Sequence, residues 1–205
     1  MAKNKEHWYD GWFYDKFIAP NQDKLFGQIN NIINPDSRII DIGCGTGRLS
    51  FTLLNKCNRI LGIDLSEKNI ERANLTLSKN PDSKISFTHK SLSEIISDGK
   101  EHFDYAVMTY VIHEVDESER VNLLEEMAQV ANKIIIGDYF SLTGNGFINT
   151  INIIVEFLAG KDHYRNFKTY IRNGGINGII NKTNFKVLQE LKNSPKTSHL
   201  ILLQK

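Results

Sequence analysis

Two groups of residues in this 205-residue sequence have types and spacings suited to chemistry. The first is the run 41–47, Asp-Ile-Gly-Cys-Gly-Thr-Gly, with glycines on alternate positions. Because glycine lacks a Cβ, the backbone of such a loop can lie directly against a ligand. Asp64 follows roughly twenty residues later, where a carboxylate can accept hydrogen bonds from both hydroxyls of a ribose. Alternatively, Asp64 caps the helix that follows it, which Ser66 could do equally well.

The second group comprises Tyr110 and His113, which follow one apolar stretch, and Tyr139, which follows another. As a general base, His113 could accept a proton from a hydroxyl, a thiol or a carbon acid. As a structural residue, it would hydrogen-bond its own loop and shape the wall of a pocket. The residue types leave both roles open.

The elements that must position these residues follow from hydrophobic periodicity. Helices alternate with apolar, β-branched stretches, which indicates an α/β fold with a parallel sheet. Ligands of such sheets bind at the carboxyl ends of the strands, where both groups of residues fall. The predicted strands cover residues 39–42, 59–66, 84–89, 103–109, 132–138, 185–191 and 199–203, and a helix is predicted over 116–131.

Composition narrows the class of protein. A chain of this length favours one α/β domain, and 40% hydrophobic and 24% charged residues are ordinary for a soluble protein. The formal net charge of +1 predicts no general attraction to nucleic acid or acidic membranes. Cys44 and Cys57 lack metal-type spacing and the six histidines are scattered, so no metal is predicted. No apolar run spans a bilayer and no signal peptide begins the chain, which predicts a cytoplasmic protein without membrane insertion.

The order acid-x-Gly-x-Gly-x-Gly in residues 41–47, followed by Asp64, resembles motif I of the class I S-adenosylmethionine (SAM) dependent methyltransferases. Within this class, the chain is similar to the small-molecule type, such as the enzymes of ubiquinone and menaquinone biosynthesis. In the dinucleotide fingerprint G-x-G-x-x-G the third glycine would stand where this chain has Arg48. An NAD-dependent oxidoreductase is therefore a less favoured alternative. A non-catalytic SAM-binding module is the other.

The resemblance implies a doubly wound, mostly parallel sheet of seven strands, with the last strand antiparallel and helices on both faces. It also implies SAM as cofactor. Many relatives carry an acid for the adenine after the third strand, where this chain has Ser91, whose hydroxyl could still bind adenine beside the amide of Leu92. The predicted cofactor-binding residues are Asp41, Gly43, Cys44, Gly45, Gly47, Asp64, Leu65, Ser91, Leu92 and Tyr110.

The stretch from Phe103 to His113 resembles motif IV of small-molecule methyltransferases, in which a histidine often closes the segment. DNA amino-methyltransferases carry an Asn/Asp-Pro-Pro-aromatic motif there, and no proline stands near this strand. The predicted acceptor is therefore a small molecule, with no nucleic-acid partner. Methyl transfer from a sulfonium is downhill, so orientation and desolvation can suffice and a base is optional. Nothing in the sequence selects O, N, S or C as the acceptor atom.

Two segments are predicted to cover the site within one domain over residues 1–205. Residues 1–34 form an N-terminal helical flap, and residues 141–182 form a helical cap inserted before the last two strands. Arg165 of the cap could hold an anionic substrate group or equally lie on a solvated face. The predicted substrate-binding residues are Tyr9, Tyr14, His113, Tyr139, Tyr164 and Arg165.

Overall fold

The computed structural model describes residues 19–99, 101–139, 161–193 and 198–205, which contain a seven-stranded sheet between two layers of helices. The strands are β1 (Ser37–Ile42), β2 (Cys57–Asp64), β3 (Ile85–His89), β4 (Phe103–Thr109), β5 (Ala131–Tyr139), β6 (Lys186–Lys192) and β7 (Ser198–Gln204). The helices are α1 (Ala19–Ile32), α2 (Arg48–Leu53), α3 (Glu67–Lys79), α4 (Leu92–Asp98), α5 (Arg120–Val130), α6 (Lys161–Arg172) and α7 (Gly175–Ile180).

The strand order is β3-β2-β1-β4-β5-β7-β6. Strands β1 to β5 pair in parallel, and β7 runs antiparallel to both of its neighbours, β5 and β6. The predicted fold, including the single antiparallel last strand, is confirmed. The order reverses between β1 and β4, so the carboxyl ends of these two neighbouring strands form the switch point where ligands of doubly wound sheets bind.

Alternation along β1 shows why helices cover both faces of the sheet. Ile39 packs in a buried cluster with Leu25 of α1 and Leu53 of α2. The next residue, Ile40, packs in a second cluster with Leu124 of α5. Since successive side chains of a strand point to opposite faces, an uninterrupted apolar run requires cover on both sides.

One helix boundary and one whole helix differ from the sequence-based expectations. Helix α5 begins at Arg120 and not at residue 116, because Asp116 closes a turn instead: its carbonyl accepts the Glu119 N–H at 3.0 Å and its carboxylate accepts the Ser118 hydroxyl at 2.8 Å. Helix α7 was not predicted. It begins after Gly174, whose φ of +88° turns the chain between α6 and α7.

Helices α6 and α7 belong to the predicted cap region and pack on the sheet face that carries α5. The predicted flap over residues 1–18 and the first half of the cap, residues 140–160, lie outside the described residues. The division into flap, core and cap therefore stays a prediction. Among the residues that the structure describes, no helix combines the length and apolarity needed to cross a membrane.

Candidate functional site

The glycine loop after β1 has a left-handed backbone at each glycine, with φ of +69° at Gly43, +55° at Gly45 and +84° at Gly47. A Cβ on Gly43 would lie 2.4 Å from Val111 Cγ2, and one on Gly47 would lie 2.6 Å from Phe87 Cζ. A Cβ on Gly45 would meet no atom within 4 Å. Gly43 and Gly47 must therefore lack a Cβ, because neighbouring side chains fill that space, whereas Gly45 borders open space.

Asp64 joins the end of β2 to this loop. Its Oδ2 accepts the Gly45 N–H at 2.8 Å, and its Oδ1 accepts the Ser66 N–H at 2.8 Å. Ser66 is the residue that caps α3, by accepting the Asn69 N–H at 3.3 Å. The alternative role of Asp64 as helix cap is therefore filled by Ser66. Each carboxylate oxygen of Asp64 keeps acceptor capacity for a ligand hydroxyl.

Asp41 lies beneath the loop and is 1% exposed. Its Oδ2 accepts the Ser50 hydroxyl of α2 at 2.6 Å. Burial raises the pKa of Asp41 to about 6, although the Ser50 hydrogen bond lowers it and the charge of Asp64 raises it further. Burial also raises the pKa of the Cys44 thiol far above its ordinary range. Asp41 and Cys44 thus support the loop from inside, and direct contact of either with a cofactor stays a prediction.

Arg48 occupies the position of the third glycine in a dinucleotide loop and anchors α1. Its guanidinium donates to Gln22 Oε1 at 2.7 Å and to Asp23 Oδ1 at 2.8 Å, and it lies 5.8 Å from the ring centre of Phe26. The first described helix is therefore tied to the start of α2, directly beside the glycine loop.

The predicted adenine-binding residues lie at the ends of β2 and β3. Leu65 follows Asp64 and is 76% exposed. Ser91 caps α4: its hydroxyl accepts the Glu94 N–H at 3.3 Å and donates to Glu94 Oε2 at 2.6 Å. The Leu92 side chain is buried. The Ser91 hydroxyl is thus engaged in a capping box, and the exposed Leu65 is the apolar surface nearest Asp64 in the sequence.

A second polar centre lies at the ends of β4 and β5. His113 is 2% exposed, and its Nδ1 lies 2.7 Å from Oδ1 of the fully buried Asp138. The same carboxylate accepts the Tyr139 N–H at 2.6 Å and the His113 N–H at 3.4 Å. Tyr110, with a left-handed φ of +56°, begins the segment that leads to His113 and donates its N–H to the Gly137 carbonyl at 2.8 Å. Such a φ in a tyrosine is uncommon and marks a constrained strand end.

Aromatic rings surround the His113 imidazole. The ring centres of Tyr139, Phe167 and Tyr170 lie 4.9, 5.9 and 6.3 Å away. Tyr110 packs edge-on against Tyr139 at 5.4 Å. Burial raises the pKa of Tyr170 well above its ordinary value, so its hydroxyl keeps its proton and donates to the Tyr139 carbonyl at 3.2 Å.

The structure describes four of the six predicted substrate-binding residues, and two of these, His113 and Tyr139, are in contact. Tyr9 and Tyr14 lie outside the described residues. Arg165 is exposed, and Tyr164 lies under the ammonium of Lys168, 5.2 Å from its ring centre, so a contact of either with a substrate stays a prediction. Sequence reasoning missed the contributions of Asp138, Phe167 and Tyr170. For Asp138 a signal existed, because it ends an apolar strand as Asp64 does. In the described part of the chain, no cluster of three or more His, Cys, Asp or Glu side chains could hold a metal.

Comparison with known proteins agrees with this geometry. Residues 39–133 match the family model described as Methyltransferase domain. A bovine mitochondrial ubiquinone biosynthesis O-methyltransferase is 34% identical over 117 residues, 56% of this chain and 29% of that enzyme. A tRNA/tmRNA (uracil-C(5))-methyltransferase from Campylobacter lari is 33% identical over 98 residues, 45% of this chain and 28% of that enzyme. The chain thus spans less than a third of the length of either relative.

Among solved structures, magnesium protoporphyrin IX methyltransferase from Synechocystis PCC 6803 with bound SAH has the same fold. It superposes with a TM-score of 0.70 at 19% identity, covering 96% of this chain and 90% of that one. The glycine loop, Asp64 and the His113 centre all lie at the carboxyl ends of the strands of this shared sheet.

Proposed function

We propose that this chain, whose residues 39–133 match the methyltransferase domain model, is a class I SAM-dependent methyltransferase that binds SAM and transfers its methyl group to a small-molecule acceptor. The observation that carries the proposal is the pairing of the Gly45 amide with the Asp64 carboxylate beside open space at Gly45. A ligand in that space meets bare backbone on one side and a hydroxyl acceptor on the other.

The residues present fit the parts of SAM. Asp64 would accept hydrogen bonds from the two ribose hydroxyls, and the backbone of Gly43, Gly45 and Gly47 would border the amino acid portion. The exposed Leu65 would pack against the adenine ring. Helix α4 begins at Leu92, whose N–H lies in the first turn, where amides lack intrahelical partners and can donate to a ring nitrogen. When bound, SAM would supply an electrophilic methyl group.

Other predicted residues would act around this core of the cofactor site. Asp41 and Cys44 would support the glycine loop from inside the protein. The Ser91 hydroxyl would fix the start of α4 through its capping box with Glu94. Tyr110 would separate the cofactor from the acceptor, because it directly follows β4, the strand next to β1.

A small-molecule acceptor is supported by the net charge of +1, since proteins that bind RNA through its phosphates usually present a basic surface. The similarity to an O-methyltransferase of ubiquinone biosynthesis supports the same class. The similarity to a tRNA/tmRNA methyltransferase makes RNA the competing acceptor to be tested.

Calorimetry with SAM, S-adenosylhomocysteine and NAD tests the cofactor. SAM should bind, and Asp64→Ala should weaken it at least roughly tenfold, because hydrogen bonds to a charged group contribute about 1.5–3 kcal/mol. Glu67→Ala is the matched control, an exposed acid three positions away that should leave affinity unchanged. Binding of NAD without SAM would contradict the proposal.

Transfer of label from methyl-labelled SAM tests the activity. The purified protein is incubated with a metabolite extract and, separately, with total RNA. Labelled small molecules are expected, and label in RNA alone would replace the small-molecule acceptor by RNA. SAM binding without any labelled product would favour a non-catalytic SAM-binding module.

A further inference from the structure

The buried pair of His113 and Asp138 lies at the carboxyl ends of β4 and β5. The proposed binding of SAM by the glycine loop and Asp64 does not use this pair. Both side chains are at most 2% exposed, and Nδ1 and Oδ1 are 2.7 Å apart. We propose that Asp138 is a positioning residue that keeps His113 Nε2 ready to take the proton of an acceptor hydroxyl. This proposal rests on the methyl transfer proposed above and deepens it by naming the class of acceptor.

The hydrogen bonds of Asp138 determine which imidazole nitrogen carries hydrogen. Its carboxylate meets three donors: the backbone N–H groups of Tyr139 and His113, and His113 Nδ1. A carboxylate only accepts hydrogen bonds, so Nδ1 must donate. In a neutral imidazole the other nitrogen, Nε2, then holds the lone pair. The ring is thus set in the form that can accept a proton at Nε2.

The surroundings of the imidazole hold it in one orientation. Phe167 presents a ring plane at 88° to it and Tyr139 one at 68°, both in edge contact. Glu114 Oε1 lies 3.9 Å from Nε2, and the Glu114 side chain is 42% exposed. Among the described residues, those that face the imidazole include Glu114 from its own loop, Asp138 and Tyr139 from β5, and Phe167 and Tyr170 from α6. A proton taken up at Nε2 has an exposed carboxylate nearby through which it can return to water.

The chemical step balances with a hydroxyl acceptor. The O–H proton passes to His113 Nε2 while the oxygen lone pair forms a bond to the methyl carbon. The methyl–sulfur bond breaks, its electron pair stays on sulfur, and S-adenosylhomocysteine results. Asp138 stabilises the imidazolium through Nδ1 until the proton is released. A neutral amine already has an available lone pair and needs no proton acceptor before attack, and a thiol with a pKa of about 8.5 ionises near neutral pH without a base, so the pair fits a hydroxyl best.

The tautomer of His113 can be measured without any acceptor, by NMR of the full chain labelled with ¹⁵N-histidine. In the wild type, hydrogen should reside on Nδ1. In Asp138→Asn the side-chain amide can donate to Nδ1, which moves the hydrogen to Nε2 and blocks proton uptake while the fold persists. Wild-type protein with hydrogen on Nε2 would overturn the proposal.

Turnover is measured as the total rate of label transfer to the metabolite extract. His113→Gln should lower it roughly a hundredfold or more and Asp138→Asn roughly tenfold or more, with SAM affinity unchanged. The double variant should be no slower than His113→Gln, because Asp138 acts only through His113. Asp104→Asn is the matched control, since its carboxylate also accepts a backbone N–H, from Arg38 at 2.8 Å, but at the amino end of β4.

The outcomes separate this inference from the proposed function. If wild-type protein fails to bind SAM or to label any product, the proposed function fails, and the tautomer measurement still decides the state of the pair. If wild-type protein labels products on nitrogen or sulfur only, or if both single variants turn over at the wild-type rate, the assignment of the pair is wrong. Should Asp138→Asn fail to fold, the His113→Gln rate and the wild-type tautomer give the same decision.

Discussion

The two halves of the candidate site are built in different ways. The glycine half, comprising residues 43–47 and Asp64, consists of backbone amides, glycine conformations and one carboxylate. The histidine half, comprising His113, Asp138, Tyr139, Phe167 and Tyr170, consists of packed side chains from three separate segments. A site made of backbone presents the same groups whatever the neighbouring side chains are. A site made of side chains changes whenever one of them is substituted.

This difference suggests a division of labour. The glycine half suits a ligand that never changes, as the proposed cofactor would be. The histidine half suits a ligand that differs among related domains, as the acceptor would. In the described part of the chain the two halves meet at the neighbouring strand ends of β1 and β4 and where Gly43 lies against Val111, so variants away from these contacts should leave the other half intact. The predictions below test this separation, from the largest expected effect to the smallest.

Arg120 is the most sensitive point of the histidine half. It is 2% exposed and donates to the carbonyls of Val115 and Asn166 and to the Thr169 hydroxyl, at 3.1, 2.7 and 3.1 Å. It thereby ties α6, which carries Phe167 and Tyr170, to α5. Arg120→Met removes these three hydrogen bonds of a buried charged group and should lower the free energy of unfolding by about 3–5 kcal/mol.

Urea unfolding measures that loss, and calorimetry should find SAM affinity nearly unchanged at temperatures where the variant is folded. Arg172→Met, at an exposed position at the end of α6, should change neither quantity. A large loss of SAM affinity in folded Arg120→Met protein would show that the two halves are coupled.

Two glycines of the glycine half can be compared directly, because a Cβ would clash at Gly43 and meet no atom at Gly45. Gly43→Ala places a Cβ 2.4 Å from Val111 at a φ of +69°, so overpacking and backbone strain should together cost about 2–4 kcal/mol of stability. Gly45→Ala meets no atom within 4 Å and should cost only about 1 kcal/mol, from its φ of +55°. Its Cβ nevertheless enters the open space proposed for the ligand.

The two alanine variants should therefore separate stability from binding. Unfolding experiments should rank Gly43→Ala as the less stable, whereas Gly45→Ala should lose SAM affinity by roughly tenfold or more at nearly normal stability. Wild-type affinity in Gly45→Ala would mean that no ligand occupies this space.

The same contrast explains what could be predicted from sequence. The glycine half was predictable because its parts lie within residues 41–66 and because glycine spacing and a strand-ending acid are local signals. The layered sheet was predictable from the alternation and length of apolar runs. For the histidine half only His113, Tyr110 and Tyr139 stood out. Its partner Asp138 lies 25 residues away, and their contact depends on the register of β4 with β5, which no local pattern encodes.

The other two differences between prediction and structure also arise from contacts between separate elements. The start of α5 was misplaced because Asp116 can cap a helix or close a turn, and only the packing of Arg120 against α6 decides between them. Helix α7 was missed because its sequence, Gly-Ile-Asn-Gly-Ile-Ile, has poor helix propensity and is held by burial of its isoleucines against α5 and β5.

The smallest expected effect concerns Asp41, the buried acid beneath the glycine half. Its pKa is about 6 in the folded protein and 3.8 in the unfolded reference. Between these values the folded state binds more protons than the unfolded state, so this group makes stability fall as pH rises, until the decline ends above about 6. At pH 8 the ionised, buried carboxylate therefore costs stability, by at most about 3 kcal/mol.

Asp41→Asn removes that charge and keeps an oxygen that can accept the Ser50 hydroxyl. The variant should be more stable than the wild type by about 1–3 kcal/mol at pH 8, with the gain shrinking as pH falls towards 4. Urea unfolding at several pH values measures this difference. Ser50→Ala is the matched partner: it deletes the hydrogen bond that lowers the pKa of Asp41, so its destabilisation should grow with pH. A variant Asp41→Asn that is less stable than the wild type at pH 8 would show that the buried charge is compensated by the loop, and that the glycine half depends on a side chain after all.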